Sequence, residues 1–171
     1  FSHDGFMVRY NADLANDFGN LLHRALSMTH KWLGPTVPAL GQPTEEDGML
    51  EEAAQKTLVE YTQQIESLQF YQAMETLWNF VRLGNKYIDR QKPWQLNREG
   101  DMERLGGVMR RCLEVCRIAA KLFSPVMPSK AGEVAELLGG GNGALDRLDG
   151  LQAGGPLGLG EPLFPRMKEL P

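Results

Sequence analysis

The sequence predicts an all-α fold, a helical bundle of about five helices, and three observations carry that expectation. Apolar residues recur at three- and four-residue steps along four long segments, the spacing of one buried helix face. No stretch alternates apolar and polar residues as a half-buried strand would, and no repeat of fixed period is present. Short connections punctuated by Gly and Pro separate the segments, which favours antiparallel neighbours.

The first helix is expected over residues 4–33. Tyr10, Leu14, Leu21, Leu22, Leu26 and Trp32 form its apolar face, Ser2 or Asp4 can cap it, and Gly34-Pro35 stops it. After a loop, a second helix starts near Thr44, whose hydroxyl can cap while Glu45, Glu46 and Asp47 complement the positive helix end. These acids read as solvated surface. Leu50, Ala54, Leu58, Tyr61 and Ile65 carry the stripe to Glu66. Ser67 is expected to cap a third helix, with Phe70, Met74, Leu77, Val81 and Ile88 on its inner face, ending by Lys92 because Pro93 disfavours helical geometry before it.

A fourth helix over residues 101–123 points Leu105, Met109, Cys112, Cys116, Ala119 and Phe123 inward and leaves Arg104, Arg110, Arg111 and Glu114 outside. Ser124-Pro125-Val126-Met127-Pro128 is a rigid break, after which Ser129 caps a short helix through Leu138. The expected organisation is a bundle over 1–138, a flexible Gly-rich excursion over 139–160 that contributes little to stability, and a tail over 161–171.

At 171 residues the chain can bury about 70% of its unfolded surface in one core. With 42% hydrophobic and 23% charged residues, collagen-like, disulfide-scaffold and wholly disordered classes are excluded. Eighteen Lys and Arg against 22 Asp and Glu give a net charge of −4, so any contact with nucleic acid must be local and geometric. Cys112 and Cys116, one helical turn apart, cannot pair without distorting the backbone, which suggests a reducing compartment. No window holds about 18 uninterrupted apolar residues, so no membrane partner is expected. Phe1 in place of Met, with no signal-peptide pattern after it, reads as a cut or processed end.

Candidate functional residues lie in three polar-rich places: residues 10–16, residues 20–24 and residues 85–94. Asn20 and Arg24 are four apart and project from one helix face, an amide donor and acceptor beside a planar fork of donors that suits a base edge or a phosphate. Trp94 follows Lys92-Pro93 at a helix end, where a ring can be held as a stacking platform. Each has an ordinary alternative: a Trp after a helix is commonly a core lid, and an Asn–Arg pair is commonly a solvated face.

The phrases RYNADLANDFGNLLHR in residues 9–24, LWNFVRLGNKYIDRQKPWQL in residues 77–96, CLEVCRIAAKLFSPVMPSKAGEV in residues 112–134 and PLFPRM in residues 162–167 resemble, in order and spacing, the anticodon-binding domain of methionyl-tRNA synthetases. The resemblance covers the chain except residues 35–47 and the Gly-rich excursion. It implies a helical bundle of a class I synthetase that reads the CAU anticodon of methionine tRNA, with Asn20, Arg24 and Trp94 meeting the anticodon loop. It also implies a separate catalytic domain that uses ATP and methionine. This chain is then expected to need no cofactor and to be non-catalytic alone, as a fragment or one chain of a divided enzyme. The rival reading is a synthetase-derived helical scaffold subunit that has lost RNA reading. A cytoplasmic or organellar location, in a plastid or mitochondrion, fits either reading, and oligomeric state is left open.

The chemistry of a class I active site has no place in these residues, because neither a HIGH-like nor a KMSKS-like phrase occurs. His3, His23 and His30 with the two cysteines lack the spacing of a zinc set. No nucleophile and base are tied together by a recognisable motif.

Overall fold

The computed structural model describes residues 10–141 and 143–165, and the expected caps Ser2 and Asp4 lie outside them. The expected helical bundle is what forms. Seven helical segments follow one another: α1 (Tyr10–Gly19), α2 (Asn20–Trp32), α3 (Glu45–Glu66), α4 (Phe70–Gln91), α5 (Pro93–Glu99), α6 (Met102–Phe123) and α7 (Pro128–Leu137). Among the described residues, extended pairing is confined to one isolated bridge between Thr36 and Pro156.

The first helix is one rod in two windings. α1 is π-helical and α2 is α-helical. Asp13 and Asp17, four apart on α1, both reach Arg82 of α4, at 3.4 and 2.9 Å. Three bonds between the rod and α4 each join residues 65 apart: Asp17 with Arg82, Asn20 with Asn85, and Arg24 with Asp89. A constant offset means parallel helices. α3 and α4, joined by a tight turn, make the antiparallel hairpin that short connections lead one to expect.

That turn corrects the expected role of Ser67, which closes α3 rather than opening α4, its N–H donating to Gln63. Leu68 then takes φ 58°, a left-handed conformation that reverses the chain. Pro128 likewise sits at the first turn of α7 in place of a Ser129 cap. Thr44 behaves as expected: with Asp47 it closes a reciprocal capping box at the start of α3.

α6 is the axis of the bundle, packed by α2, α3, α4, α5 and α7. Every residue from Leu105 to Ala120 is buried. The expectation that Arg110, Arg111 and Glu114 lie outside is therefore wrong, and Arg104 too is largely covered. A second layer of irregular chain covers the side of α6 that carries them. Pro38 and Leu40 of the α2–α3 loop offer carbonyl oxygens to Arg110 and Arg111 at 3.0 and 2.8 Å. Asp47 is also buried, contrary to its reading as surface.

The Gly-rich segment forms the rest of that layer and is no free excursion. Leu148, Leu151 and Leu157 are buried. Arg117 donates to the carbonyls of Gly143, Ala144 and Arg147 at 2.9–3.0 Å. Glu114 accepts the Leu151 N–H at 2.7 Å, and Arg110 donates to the Leu151 carbonyl. Glycine is needed at position 150 because a Cβ there would collide with the Arg117 guanidinium. Buried guanidinium groups thus add polar anchors to the three leucines that the segment contributes to the core.

Leu21, Leu77, Val81, Leu105, Met109, Cys112 and Cys116 are all buried as expected, while Leu14 packs on the core from its edge. Phe18, Trp78 and Phe123 form an aromatic knot, with ring centroids 5.4 and 4.6 Å from Phe123. Phe164, at the start of the expected tail, packs against Phe18 and Tyr10.

Candidate nucleic-acid interface

Two helices build the site because four-residue spacing recurs on both. Asn20 and Arg24 stand one turn apart on α2, and Asn85 and Asp89 stand one turn apart on α4. In the parallel pairing they meet rung by rung. The Asn20 amide donates to Asn85 Oδ1 at 3.3 Å, and Arg24 Nη2 donates to Asp89 Oδ1 at 2.7 Å. Asn85 also donates to the Asp17 carbonyl at 2.9 Å, which fixes its amide and turns its oxygen to Asn20.

Asn20 remains exposed and borders a hollow of about 580 Å³ between the α1–α2 junction and the C-terminal segment, where His23 and Phe164 also face. Arg24 is partly covered, and one of its five N–H donors goes to Asp89. The structure thus brings Asn20 and Arg24 together on one polar seam.

Trp94 is placed by the chain reversal that ends α4. Lys92 adopts φ 48°, its N–H still bonded to the Ile88 carbonyl at 3.0 Å. Pro93 occupies the first position of α5 and is itself buried. The sequence reading placed Trp94 after a helix; it lies instead in the first turn of a short second helix. The residue is 45% exposed, so it is not a core lid. No hydrogen bond joins it to Asn20 or Arg24; what links them is the last turn of α4, which carries Asp89 and leads into Trp94. Lys86, Arg90, Lys92 and Arg98 are exposed around that turn and make a local cationic rim on an acidic chain.

The opposite face of the same turn carries Tyr87 and Gln91, again four apart. Both are held by Arg104 and Asp47. Arg104 grips the Asp47 carboxylate at 2.6 and 2.9 Å and donates to Gln91 Oε1 at 2.5 Å, while the Tyr87 hydroxyl donates to Asp47. Burial raises the Asp47 pKa, but the Arg104 guanidinium, the Tyr87 hydroxyl, the Thr44 amide and nearby Arg111 outweigh it, holding the carboxyl well below the usual carboxylate range. Burial, and then the hydrogen bond to Asp47, push the Tyr87 hydroxyl up. The pairing with Asp47 raises Arg104, so both partners stay charged.

Sequence reasoning singled out residues 85–94 but did not pair Asn85 and Asp89 with Asn20 and Arg24, and it missed Arg82 and Asp17. The matched four-residue steps on two helices were the available signal, and the parallel register was the missing one.

Burial pushes the Cys112 and Cys116 thiols up, away from the reactive thiolate. No group of three metal-ligating side chains occurs among the described residues, and no helix there is long and apolar enough to cross a membrane. The arrangement can offer hydrogen bonds, an exposed indole face and local positive charge.

Residues 37–169 match the family described as the anticodon binding domain of methionyl tRNA ligase. Among similar proteins, the methionine–tRNA ligase of Bacillus subtilis is 37% identical over 98% of this chain, and that of Thermotoga maritima 38% identical over 78%. The apo Mycobacterium tuberculosis methionyl-tRNA synthetase superposes with a TM-score of 0.90 at 33% identity, over 99% of this chain and 36% of that one. The chain spans 26% of the B. subtilis protein and 21% of the T. maritima protein.

Proposed function

Because the chain belongs to the family of methionyl-tRNA ligase anticodon-binding domains, we propose that it reads the CAU anticodon loop of methionine tRNA through Asn20, Arg24 and Trp94. The observation that supports this reading is the polar seam between α2 and α4, whose last rung, at Asp89, lies in the turn of α4 that leads into Trp94, a residue left 45% exposed. An anticodon loop is single-stranded, so its bases can be splayed out, stacked on an aromatic ring and hydrogen-bonded along their edges.

Trp94 supplies the ring. Asn20 supplies a base-edge partner whose amide is oriented by Asn85, and Arg24 keeps free donors for a base or phosphate while Asp89 holds its fork in place. Lys86, Arg90, Lys92 and Arg98 meet the loop phosphates, which explains how a chain of net charge −4 can hold RNA. Adenylate formation from ATP and methionine belongs to a catalytic domain outside this chain, and the module itself needs no cofactor. It works in the cytoplasm or an organelle.

The test is equilibrium binding of the chain to methionine tRNA and to the same tRNA with an altered anticodon. Tighter binding of the first is the expected result. Equal affinity for both, or binding of neither, overturns the reading and leaves a helical scaffold subunit.

A further inference from the structure

The last turn of α4 is clamped on two faces, and the second clamp is largely buried. One face meets α2 through Asn85 and Asp89. The other, two residues round the helix, meets the buried Asp47–Arg104 pair through Tyr87 and Gln91. Arg104 belongs to the first turn of α6 and Asp47 to the first turn of α3, so the pair ties three helix ends at one point. Arg104 also reaches the Thr44 hydroxyl at 3.3 Å, and Arg111 stands 3.5 Å from the same carboxylate. Immediately beyond the clamped turn come Lys92, in a left-handed conformation uncommon for a residue with a side chain, and Trp94.

Resting on the anticodon-reading assignment of Trp94, we infer that Asp47 and Arg104 are positioning residues for that indole: by fixing the end of α4 through Tyr87 and Gln91, they set where the chain reverses and which way the Trp94 ring is presented. The geometry favours this over a role confined to stability. The pair does not fasten the middle of the bundle, where α4 is already held by Leu77, Val81 and the close approach of Gly84 to α2 and α6. It fastens the terminal turn, which would otherwise fray because its last carbonyls have no continuing helix.

The experiment is a double-mutant cycle on RNA binding. Arg104→Lys keeps the charge and loses the two-pronged grip on Asp47 and Gln91. Affinity for methionine tRNA is measured for the parent chain, Arg104→Lys, Trp94→Ala and the double variant, with thermal unfolding of each in parallel. A base stacked on an aromatic ring is worth about 5- to 150-fold in affinity, so Arg104→Lys is expected to weaken binding by about fivefold or more. In the Trp94→Ala background the same change should have almost no effect, since the ring it positions is gone.

An equal loss in both backgrounds overturns the proposal and makes Arg104 a structural residue only, as does unchanged binding of Arg104→Lys alone. Trp94→Ala binding as well as the parent refutes the anticodon reading itself, a distinct result. If Arg104→Lys does not fold, Tyr87→Phe, which deletes only the hydroxyl on Asp47, carries the same cycle with the same two outcomes.

Discussion

Arg117 and Glu114, three residues apart on α6, form a 2.6 Å ion pair with both side chains almost completely out of water. Arg110 joins them at 3.0 Å from the other side, so one carboxylate neutralises part of the charge of two guanidinium groups. Removing one member of such a buried set leaves uncompensated charge and costs about 3–5 kcal/mol. Glu114→Ala is therefore expected to lower unfolding free energy in urea by that amount. Amide exchange at Leu151, whose N–H ends on Glu114, should rise ahead of that in the helices. Loss of less than about 1 kcal/mol would show that the carboxylate is dispensable.

Trp94→Ala should weaken binding of methionine tRNA by about 1–3 kcal/mol while leaving unfolding nearly unchanged, because the ring is only half in the protein. Arg24→Lys keeps the charge beside Asp89 but not the planar fork. It should weaken binding of methionine tRNA more than binding of a tRNA with an altered anticodon. Raising salt should weaken both tRNAs alike, since the cationic rim acts on phosphates.

Two glycines in helices should respond in opposite directions to alanine. At Gly84 an added Cβ would sit 2.9 Å from a Leu21 methyl and 3.0 Å from Val115 Cγ1. The leucine can give way, but the β-branched valine is stiff at χ1. The overpacking cost of about 1–3 kcal/mol should outweigh the roughly 1 kcal/mol that alanine gains in helix propensity. At Gly132 in α7 nothing lies within 4 Å of the added atom, and Gly132→Ala should raise stability by about 0.5–1 kcal/mol. Thermal melts of the two variants, falling for one and rising for the other, check both.

Asp47 should make the fold acid-sensitive. Its carboxyl is held below the usual range in the folded chain, so its contribution is complete above the unfolded value of about 3.9 and is lost as pH falls below that toward the folded value. The difference in melting temperature between the parent and Asp47→Asn should stay constant from neutral pH down to about pH 5 and shrink below about pH 4. A gap that narrows already near pH 6 would place the linked titration on another group.

The all-α class and the starts of α3 and α6 were legible because one-sided apolar spacing and capping residues are local signals. Trp94's exposure was not, since the same Lys-Pro-Trp phrase serves a lid or a platform. Arg110, Arg111 and Glu114 read as surface, and Arg117 was given no place, because a helix covered on all sides normally lacks charges. What buries them is backbone carbonyls from residues 143–151 and from Pro38, which carry no side-chain signature. The Gly-rich stretch was misjudged for the same reason: its anchors lie on α6. At the site, Asn20, Arg24 and Trp94 came from the resemblance and from paired spacing. Their partners Asn85 and Asp89 needed the parallel register, which no short-loop argument provides.

The constant 65-residue offset between the first helix and α4 also has a kinetic meaning. The α3–α4 hairpin closes a turn of a few residues and can form early, whereas every bond of the α2–α4 seam must wait for a long loop to close, with its entropy lost before any contact rewards it. The seam, and with it the proposed RNA-reading surface, is therefore assembled among the last parts of the chain. In a refolding experiment helical signal should return before tRNA affinity does, and a chain cut between α2 and α3 should keep its hairpin yet possess no seam at all.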